Sequence, residues 1–329
     1  MGNPPIISNS ERNTFGRCPQ RWAWMYLDNL TSKQRPADAL WFGVGVHEAL
    51  AEWYQPGFER GTHPADYFED WVGDEVRVIK ASRADKDREW FDEPLYEDAS
   101  DLGVAMLTEY VKKYGNDRDL EILAIEQPFE LELVRDDVVV ALFIGVFDGV
   151  AFDHRDQMIK LLEHKTAGSI KTAHLSLDNQ AGSYFAAATV VLRWQGILEP
   201  REVIEGIEYN FLRKSLPDPR ERDERGAYLN KNGTVSKKQP PPPFVREFVD
   251  RGPREVRRQL ERLTDEVVEM NMVRAGELKV RKVINDTCPY CPFYTMCVMH
   301  ERGGKAWMEY RDAQYTKREP SPLRKSASE

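Results

Sequence analysis

A chain of 329 residues with 41% hydrophobic and 31% charged residues can hold one large domain or two small ones, and this composition excludes a mostly disordered protein. Its 46 basic and 55 acidic residues leave a net charge of −9, so bulk charge does not mark a nucleic-acid binder, although a local basic groove can sit on an acidic protein. No apolar run reaches the roughly 18–20 residues of a membrane span, and the start MGNPPIISNS lacks the basic and apolar parts of a signal peptide, so a cytoplasmic, reducing setting is the expectation.

Residues 8–28 read as a helix, with Ser8 and Glu11 spaced for a capping box and Ser10 as an alternative cap. Phe15, Cys18, Trp22 and Met25 fall on one face of it. A second helix is predicted over 39–54, and 64–115 reads as charged helix broken by the acidic stretch 89–101. Alternating apolar residues then predict strands over 120–134, 138–150 and 158–163, with Asp136-Asp137 as a hairpin turn. An Ala-rich helix follows at 176–194 and another strand at 203–213. Residues 214–243 form a polar loop carrying Asn232-Gly233, a hairpin signal, and the run Pro240 to Pro243. Residues 252–275 read as a charged helix, and the tail 311–329 as disordered. There is no internal repeat and no Walker A loop, so the chain is not an NTP-driven motor by itself.

All four cysteines fall into one pattern. Cys288, Cys291 and Cys297 are clustered, Cys18 lies near the other end of the chain, and Pro follows Cys18, Cys288 and Cys291. A disulfide framework does not suit a reducing compartment. Four thiolates suit zinc or an iron–sulfur cluster, and three close thiols plus one distant one favour a cubane cluster over the paired spacing of zinc sites. The plain alternative is four buried thiols without a ligand. A metal here would pin the N-terminal helix to the C-terminal segment.

A second set of residues is acidic. Asp148 ends an apolar strand in Gly145-x-x-Asp148, and Glu163-His164-Lys165 closes the next strand. If the strands pair, both carboxylates emerge near one sheet edge, as hard oxygen ligands for Mg²⁺ or Mn²⁺. Lys165 faces the same side of its strand as Glu163, where an ammonium can orient water and neutralise charge on a phosphate. The plain alternative is a surface strand with Glu–Lys alternation. His47, on an apolar helix, is either a core histidine or a third metal ligand. Glu126 on the preceding strand either orients a ligand or a water or simply faces solvent. Gln180 and Tyr184, four apart on one helix face, would position Lys165 or touch a nucleic-acid backbone, or else serve only packing.

In order, these residues are Cys-Pro, Gly43-x-x-x-His47, Gly145-x-x-Asp148, Glu163-x-Lys165, Gln180-x-x-x-Tyr184 and Cys288-x2-Cys291-x5-Cys297. The series resembles the PD-(D/E)XK nuclease superfamily, in its RecB-like branch with an iron–sulfur cluster, from about residue 8 to residue 300. That branch includes the AddB nuclease domain and the CRISPR-associated exonucleases. The resemblance implies an α/β fold: a mixed central sheet flanked by helices, with a lobe built from both chain ends. It implies His47, Asp148 and Glu163 as metal ligands, with the His164 backbone carbonyl as a further one and Lys165 as the catalytic lysine. It implies a four-iron, four-sulfur cluster on Cys18, Cys288, Cys291 and Cys297. Phe147 stands where many relatives have Pro before the aspartate. The chain is nearer in size to stand-alone RecB-like exonucleases of phage genomes than to the minimal CRISPR-type enzyme.

The expected organisation is one nuclease domain over 1–310, with the iron–sulfur lobe from 8–30 and 284–300 and a helical insertion about 55–118. Residues 213–238 hold eight basic and four acidic residues, an excess of four that opposes the global charge. Lys214, Arg220, Arg222, Arg225, Lys237 and Lys238, with Tyr228 among them, make a candidate strand-guiding loop, or a solvated one. The acidic stretch 89–101 is expected away from the DNA. The function expected is metal-dependent exonuclease action on single-stranded DNA ends, in recombination, repair or phage DNA processing, in a bacterial or phage-infected cytoplasm. A helicase or recombination partner is in keeping with it. The rivals are a catalytically silent DNA-binding protein of the same fold and a zinc-stabilised interaction module.

Overall fold

The structure, a computed structural model, describes residues 3–32, 39–81 and 91–318. Strand β1 (Ile6–Ser8) leads into helix α1 (Asn9–Arg17), capped by the Ser8 hydroxyl, which accepts from the Glu11 N–H at 3.3 Å. The capping box is only half formed. The Glu11 carboxylate is buried instead and accepts from Trp22 Nε1 at 3.0 Å and from Arg274 at 2.5 Å. The single helix expected over 8–28 is broken at Cys18, which is extended at φ −163° and ψ 107°. Pro19 is the cause, because its ring disfavours the helical region for the residue before it. The chain restarts as α2 (Pro19–Trp22), then a π-helical turn (Ala23–Leu27) and β2 (Leu30–Ser32).

Helices α3 (Ala39–Trp53), α4 (Pro64–Ala81) and α5 (Glu93–Tyr114) follow. The acidic stretch does not interrupt the helix from Glu93 onward. Pro94 sits in the first turn and Glu93 and its acidic neighbours suit a helix N-terminus, where the dipole is positive. Residues 82–90 of the expected helical stretch lie outside the described residues. The hairpin β3 (Leu120–Arg135) and β4 (Val138–Asp153) turns at Asp136 and Asp137, whose φ values of 51° and 61° suit a tight two-residue turn. β5 (Met158–Ala167), α6 (Asn179–Trp194) and β6 (Gly206–Arg213) form a β-α-β unit with parallel strands. β7 (Phe244–Asp250) was not expected, although FVREFVD alternates. It pairs antiparallel with β6.

The chain closes with α7 (Pro253–Arg274), α8 (Tyr294–Glu301), α9 (Ala306–Gln314) and β8 (Tyr315–Lys317). The expectation of a disordered tail is corrected over 311–318, because β8 pairs with β2 and Tyr315 is buried. Residues 319–329 of that tail lie outside the described residues.

The six-stranded sheet is mixed, with β4 at its centre. One face packs on α1, α6 and α7 through Phe129, Phe143, Phe147, Phe185 and Val267. The other packs on α3, α4 and α5 through Leu50, Phe68, Leu107, Ala151 and Leu162. The 55–118 segment supplies two of the three helices of this layer, α4 and α5. A third, small core joins the chain ends through Trp24, Leu30, Phe293, Met296 and Tyr315.

Candidate active site

The site follows from how β4 is shared. β3 lines one side of it throughout. On the other side β1 pairs with Leu142, Phe143 and Ile144, and β5 pairs with Gly149 through Asp153. Residues 145–148 fall in the gap between these partners. The β4–β5 ladder ends at Gly149 and Leu162, so the next residues, Asp148 and Glu163, stand where the strands diverge. The main-chain N–H of His164, freed from the ladder, donates to Asp148 Oδ2 at 2.7 Å.

Three further elements close on this fork. His47 on α3 places Nδ1 3.3 Å from Asp148 Oδ1. On β3, Ile125 pairs with Gly149 and Gln127 with Phe147, which sets Glu126 across from Asp148. Glu126 has a left-handed φ of 40°, a local break in the ladder that sequence alternation does not reveal. One ligand atom from each of His47, Glu126 and Asp148 lies within 4.8 Å of the others. Lys165 Nζ contacts Glu163 Oε1 at 2.5 Å, while Glu163 Oε2 is buried without a hydrogen-bond partner among the described residues.

The charges respond to this crowding. Burial disfavours a charged His47, but the Asp148 carboxylate outweighs burial and raises the imidazole to about 9. Burial pushes Asp148 up, yet His47 and the His164 N–H prevail and hold it below its usual value. Burial lifts Glu163 to about 7, and burial with the nearby Asp148 lifts Glu126 to about 7. Burial alone would lower Lys165, but Glu163 keeps it raised. Protons held on His47, Glu126 and Glu163 do what a cation would do: they offset buried negative charge. The two carboxylates and one imidazole that gather here, with the unpaired Glu163 Oε2 on the neighbouring strand, fit Mg²⁺ or Mn²⁺.

Tyr184 also reaches the fork. Its ring packs edge-on against Phe129 and Phe147, at 5.6 and 5.9 Å. This stack explains Gly145, since a Cβ there would lie 2.6 Å from the Phe129 ring. Gln180 is half-buried, and its main-chain carbonyl accepts from Asn9 Nδ2 at 3.1 Å. The sequence alone marks neither Asn9, also hydrogen-bonded to Tyr184, nor Arg12, which pairs with Glu266 at 2.7 Å. Both sit on α1, where a polar residue in a broken helix carries no signal of its partner.

The basic loop divides. Lys214 lies over the Phe42 ring at 5.9 Å. Arg220 pairs with Asp218 at 2.6 Å, and both Arg220 and Arg222 stack on the buried Tyr228, at 5.0 and 4.5 Å. Those two arginines brace the loop, while Arg225, Lys237 and Lys238 are exposed. Where the two ends of the chain meet, Cys18, Cys288, Cys291 and Cys297 line one cavity of about 740 Å³. The N–H groups of Val283 and Asn285 point at Cys18 and Cys288 sulfur, at 3.5 and 3.4 Å.

Among the described residues no helix is long and apolar enough to cross a membrane. No curated protein matches the chain. A family model described as the PD-(D/E)XK nuclease superfamily matches residues 6–298, from β1 into α8. That span contains the whole sheet, the fork between β4 and β5, and all four cysteines, and on this match the chain belongs to the PD-(D/E)XK nuclease superfamily.

Proposed function

We propose that the protein is a divalent-metal-dependent DNA exonuclease acting on single-stranded ends. The observation that carries the metal-dependent nuclease reading is the fork, where Asp148 and Glu163 leave the ladder together with His47 above them and Lys165 on the Glu163 face, while action on single-stranded ends follows the resemblance to the RecB-like branch. A bound Mg²⁺ or Mn²⁺ supplies an activated water and polarises the phosphodiester. His47, Asp148 and Glu163 are the residues to hold it, with the His164 carbonyl and Glu126 available beside them. Lys165 keeps its proton against burial and offers positive charge to the phosphate as negative charge develops there. Gln180, Tyr184 and the exposed Arg225, Lys237 and Lys238 are proposed to seat the strand.

The cysteine lobe is proposed to hold a four-iron, four-sulfur cluster. The spacing of three close thiols and one distant one favours it over the paired spacing of zinc sites. The chain directs N–H donors at two of the sulfurs, as cluster thiolates require.

The test is degradation of end-labelled single-stranded DNA by anaerobically purified protein with Mn²⁺ or Mg²⁺, beside Glu163→Ala and Lys165→Ala. Metal-dependent shortening from one end, lost in both variants, is the expected result, and the label reports polarity. No cleavage of single-stranded or duplex DNA by cluster-loaded protein would overturn the reading in favour of a silent DNA-binding protein.

A further inference from the structure

Behind the fork lies a chain of buried hydrogen bonds that the proposed chemistry does not use. His164 sits between Glu163 and Lys165, so its side chain points to the opposite face of β5. There the imidazole stacks on Tyr54, with centroids 6.0 Å apart and planes at 11°, and meets the His47 ring edge at 6.1 Å. Asn210, its neighbour across the β5–β6 register, places Nδ2 2.9 Å from His164 Nδ1 and 2.8 Å from the Tyr110 hydroxyl. Tyr110 and Tyr54 hydroxyls lie 2.7 Å apart, and Tyr54 donates to Asp117 Oδ2 at 2.6 Å. Arg246 on β7 closes the chain, reaching Asp117 at 2.6 Å, Tyr110 at 2.9 Å and Tyr54 at 3.1 Å.

Only one arrangement of protons gives each contact among Asp117, Tyr54, Tyr110, Asn210 and His164 its own hydrogen. Arg246 can only donate, and an ionised Asp117 can only accept. The Tyr54 proton is therefore committed to Asp117. The Tyr54–Tyr110 contact must then use the Tyr110 proton. That leaves Tyr110 as an acceptor toward Asn210, so the Asn210 amide presents its NH₂ there. The same NH₂ donates to His164 Nδ1, which must be bare. If the amide were flipped, the 2.7 Å contact between the tyrosines would have no hydrogen. Orientations and tautomers of this kind follow from the network.

We infer that this network makes Asn210 a positioning residue of the metal site, acting through a neutral His164 whose single ring proton is on Nε2. The direction is set by Arg246 and Asp117 and passed through Tyr54, Tyr110 and Asn210. Its effect on the site runs through the backbone. Holding the ring between Tyr54 and His47 holds the His164 N–H on Asp148 Oδ2, and so fixes one metal ligand against the strand that carries the other. Nε2 itself is buried and has no partner among the described residues. The metal-site role rests on the nuclease reading; the tautomer does not.

The test combines imidazole nitrogen NMR on histidine-labelled protein, with His164 assigned by His164→Gln, and Mn²⁺ titration calorimetry. The wild-type protein is expected to show His164 with bare Nδ1. Tyr110→Phe removes the hydroxyl that orders the chain, and Asn210→Asp replaces the donor with an acceptor. Both are expected to disturb the His164 tautomer and weaken Mn²⁺ binding about tenfold, while Tyr54→Phe, which keeps the ring stack, serves if either fails to fold. A wild-type His164 protonated on Nδ1 would overturn the network assignment. An ordered network with unchanged Mn²⁺ affinity in the variants would overturn the positioning role. Wild-type protein that binds no Mn²⁺ would overturn the metal-site role together with the nuclease reading and leave the tautomer result standing.

Discussion

Lys165 grips one oxygen of Glu163 at 2.5 Å and leaves the other buried and unpaired. One carboxylate thus has two tasks, holding the lysine and offering a free lone pair toward the fork. Replacing Lys165 with Met keeps the stem and removes only the charge. Cleavage of single-stranded DNA is expected to fall by about 10²–10³, the usual effect of removing one group that stabilises developing charge. Mn²⁺ affinity, measured by calorimetry, should stay within a few-fold. Equal loss of affinity and rate would show that Lys165 acts only by placing Glu163.

The chelator-treated protein should lose stability as pH rises from about 5 to 9. Burial raises Glu126 and Glu163 to about 7, and Asp148 raises His47 against burial to about 9. In each case the folded form binds more protons than the unfolded chain over that range, so raising pH favours unfolding. Metal binding displaces those protons. The rise in melting temperature on adding Mn²⁺ should therefore be larger at pH 8 than at pH 6. Melts at both pH values check this, and a Mn²⁺ effect that shrinks with pH would contradict the assigned ligands.

Much of this site is visible in the sequence because its residues sit at fixed offsets on single elements. Glu163 and Lys165 share a strand face at a spacing of two, and Gly145 and Asp148 mark an apolar strand running into a carboxylate. Residues that act through a partner far away in sequence are not visible in this way. Asn210 meets His164 only because a crossover helix sets the parallel register of β5 and β6. Glu126 faces Asp148 through a left-handed backbone position that alternation cannot show. Glu11 has the spacing of a capping box, but burial beside Trp22 and Arg274 gave its carboxylate a different use. The break at Cys18 is different again. Cys-Pro was there to be read, and the apolar spacing of Phe15 and Trp22 masked it because those rings still meet, at 5.0 Å.

The cysteine lobe supplies a prediction independent of catalysis. Cys18 is the only cysteine from the N-terminal side, so among the four thiols it alone would join the end of α1 to the segment carrying the other three through a shared metal group. Anaerobically purified protein should be brown and carry four iron atoms per chain, as a cubane cluster requires. Cys18→Ser should lose the colour and become sensitive to protease between residues 284 and 317, where the third small core resides. One zinc and no iron per chain would refute the cluster.

The loop after β6 should separate into bracing and binding residues. Arg225, Lys237 and Lys238 are exposed, whereas Arg220 is committed to Asp218, Ser236 and Tyr228. Changing the three exposed residues to Gln should weaken single-stranded DNA binding and flatten its dependence on log salt by about 2, at roughly 0.7 per phosphate contact. Arg220→Ala should instead loosen the loop, read as faster amide exchange over 218–238. Fluorescence anisotropy across salt concentrations checks the first, and a slope unchanged in the triple variant would remove this loop from the DNA path.

Gly145 tests whether the Gly-x-x-Asp spacing reflects packing rather than chemistry. The Phe129 and Phe147 rings stack at 4.3 Å and 7°, and Tyr184 closes over them. A methyl at residue 145 would sit 2.6 Å from the buried Phe129 ring and 3.1 Å from Tyr184. Gly145→Ala should therefore cost about 1–3 kcal/mol, the usual penalty of overpacking a filled core. Denaturant melts of the chelator-treated protein measure it with no metal contribution. Because Asp148 lies three residues on, at the end of the same strand segment, Mn²⁺ affinity should fall as well. A smaller neighbour should give the methyl room, so Phe129→Leu in the same chain should recover part of both losses. Recovery of stability without recovery of Mn²⁺ affinity would mean that the glycine serves the core alone, and that Asp148 is placed by β5 and His164 without it.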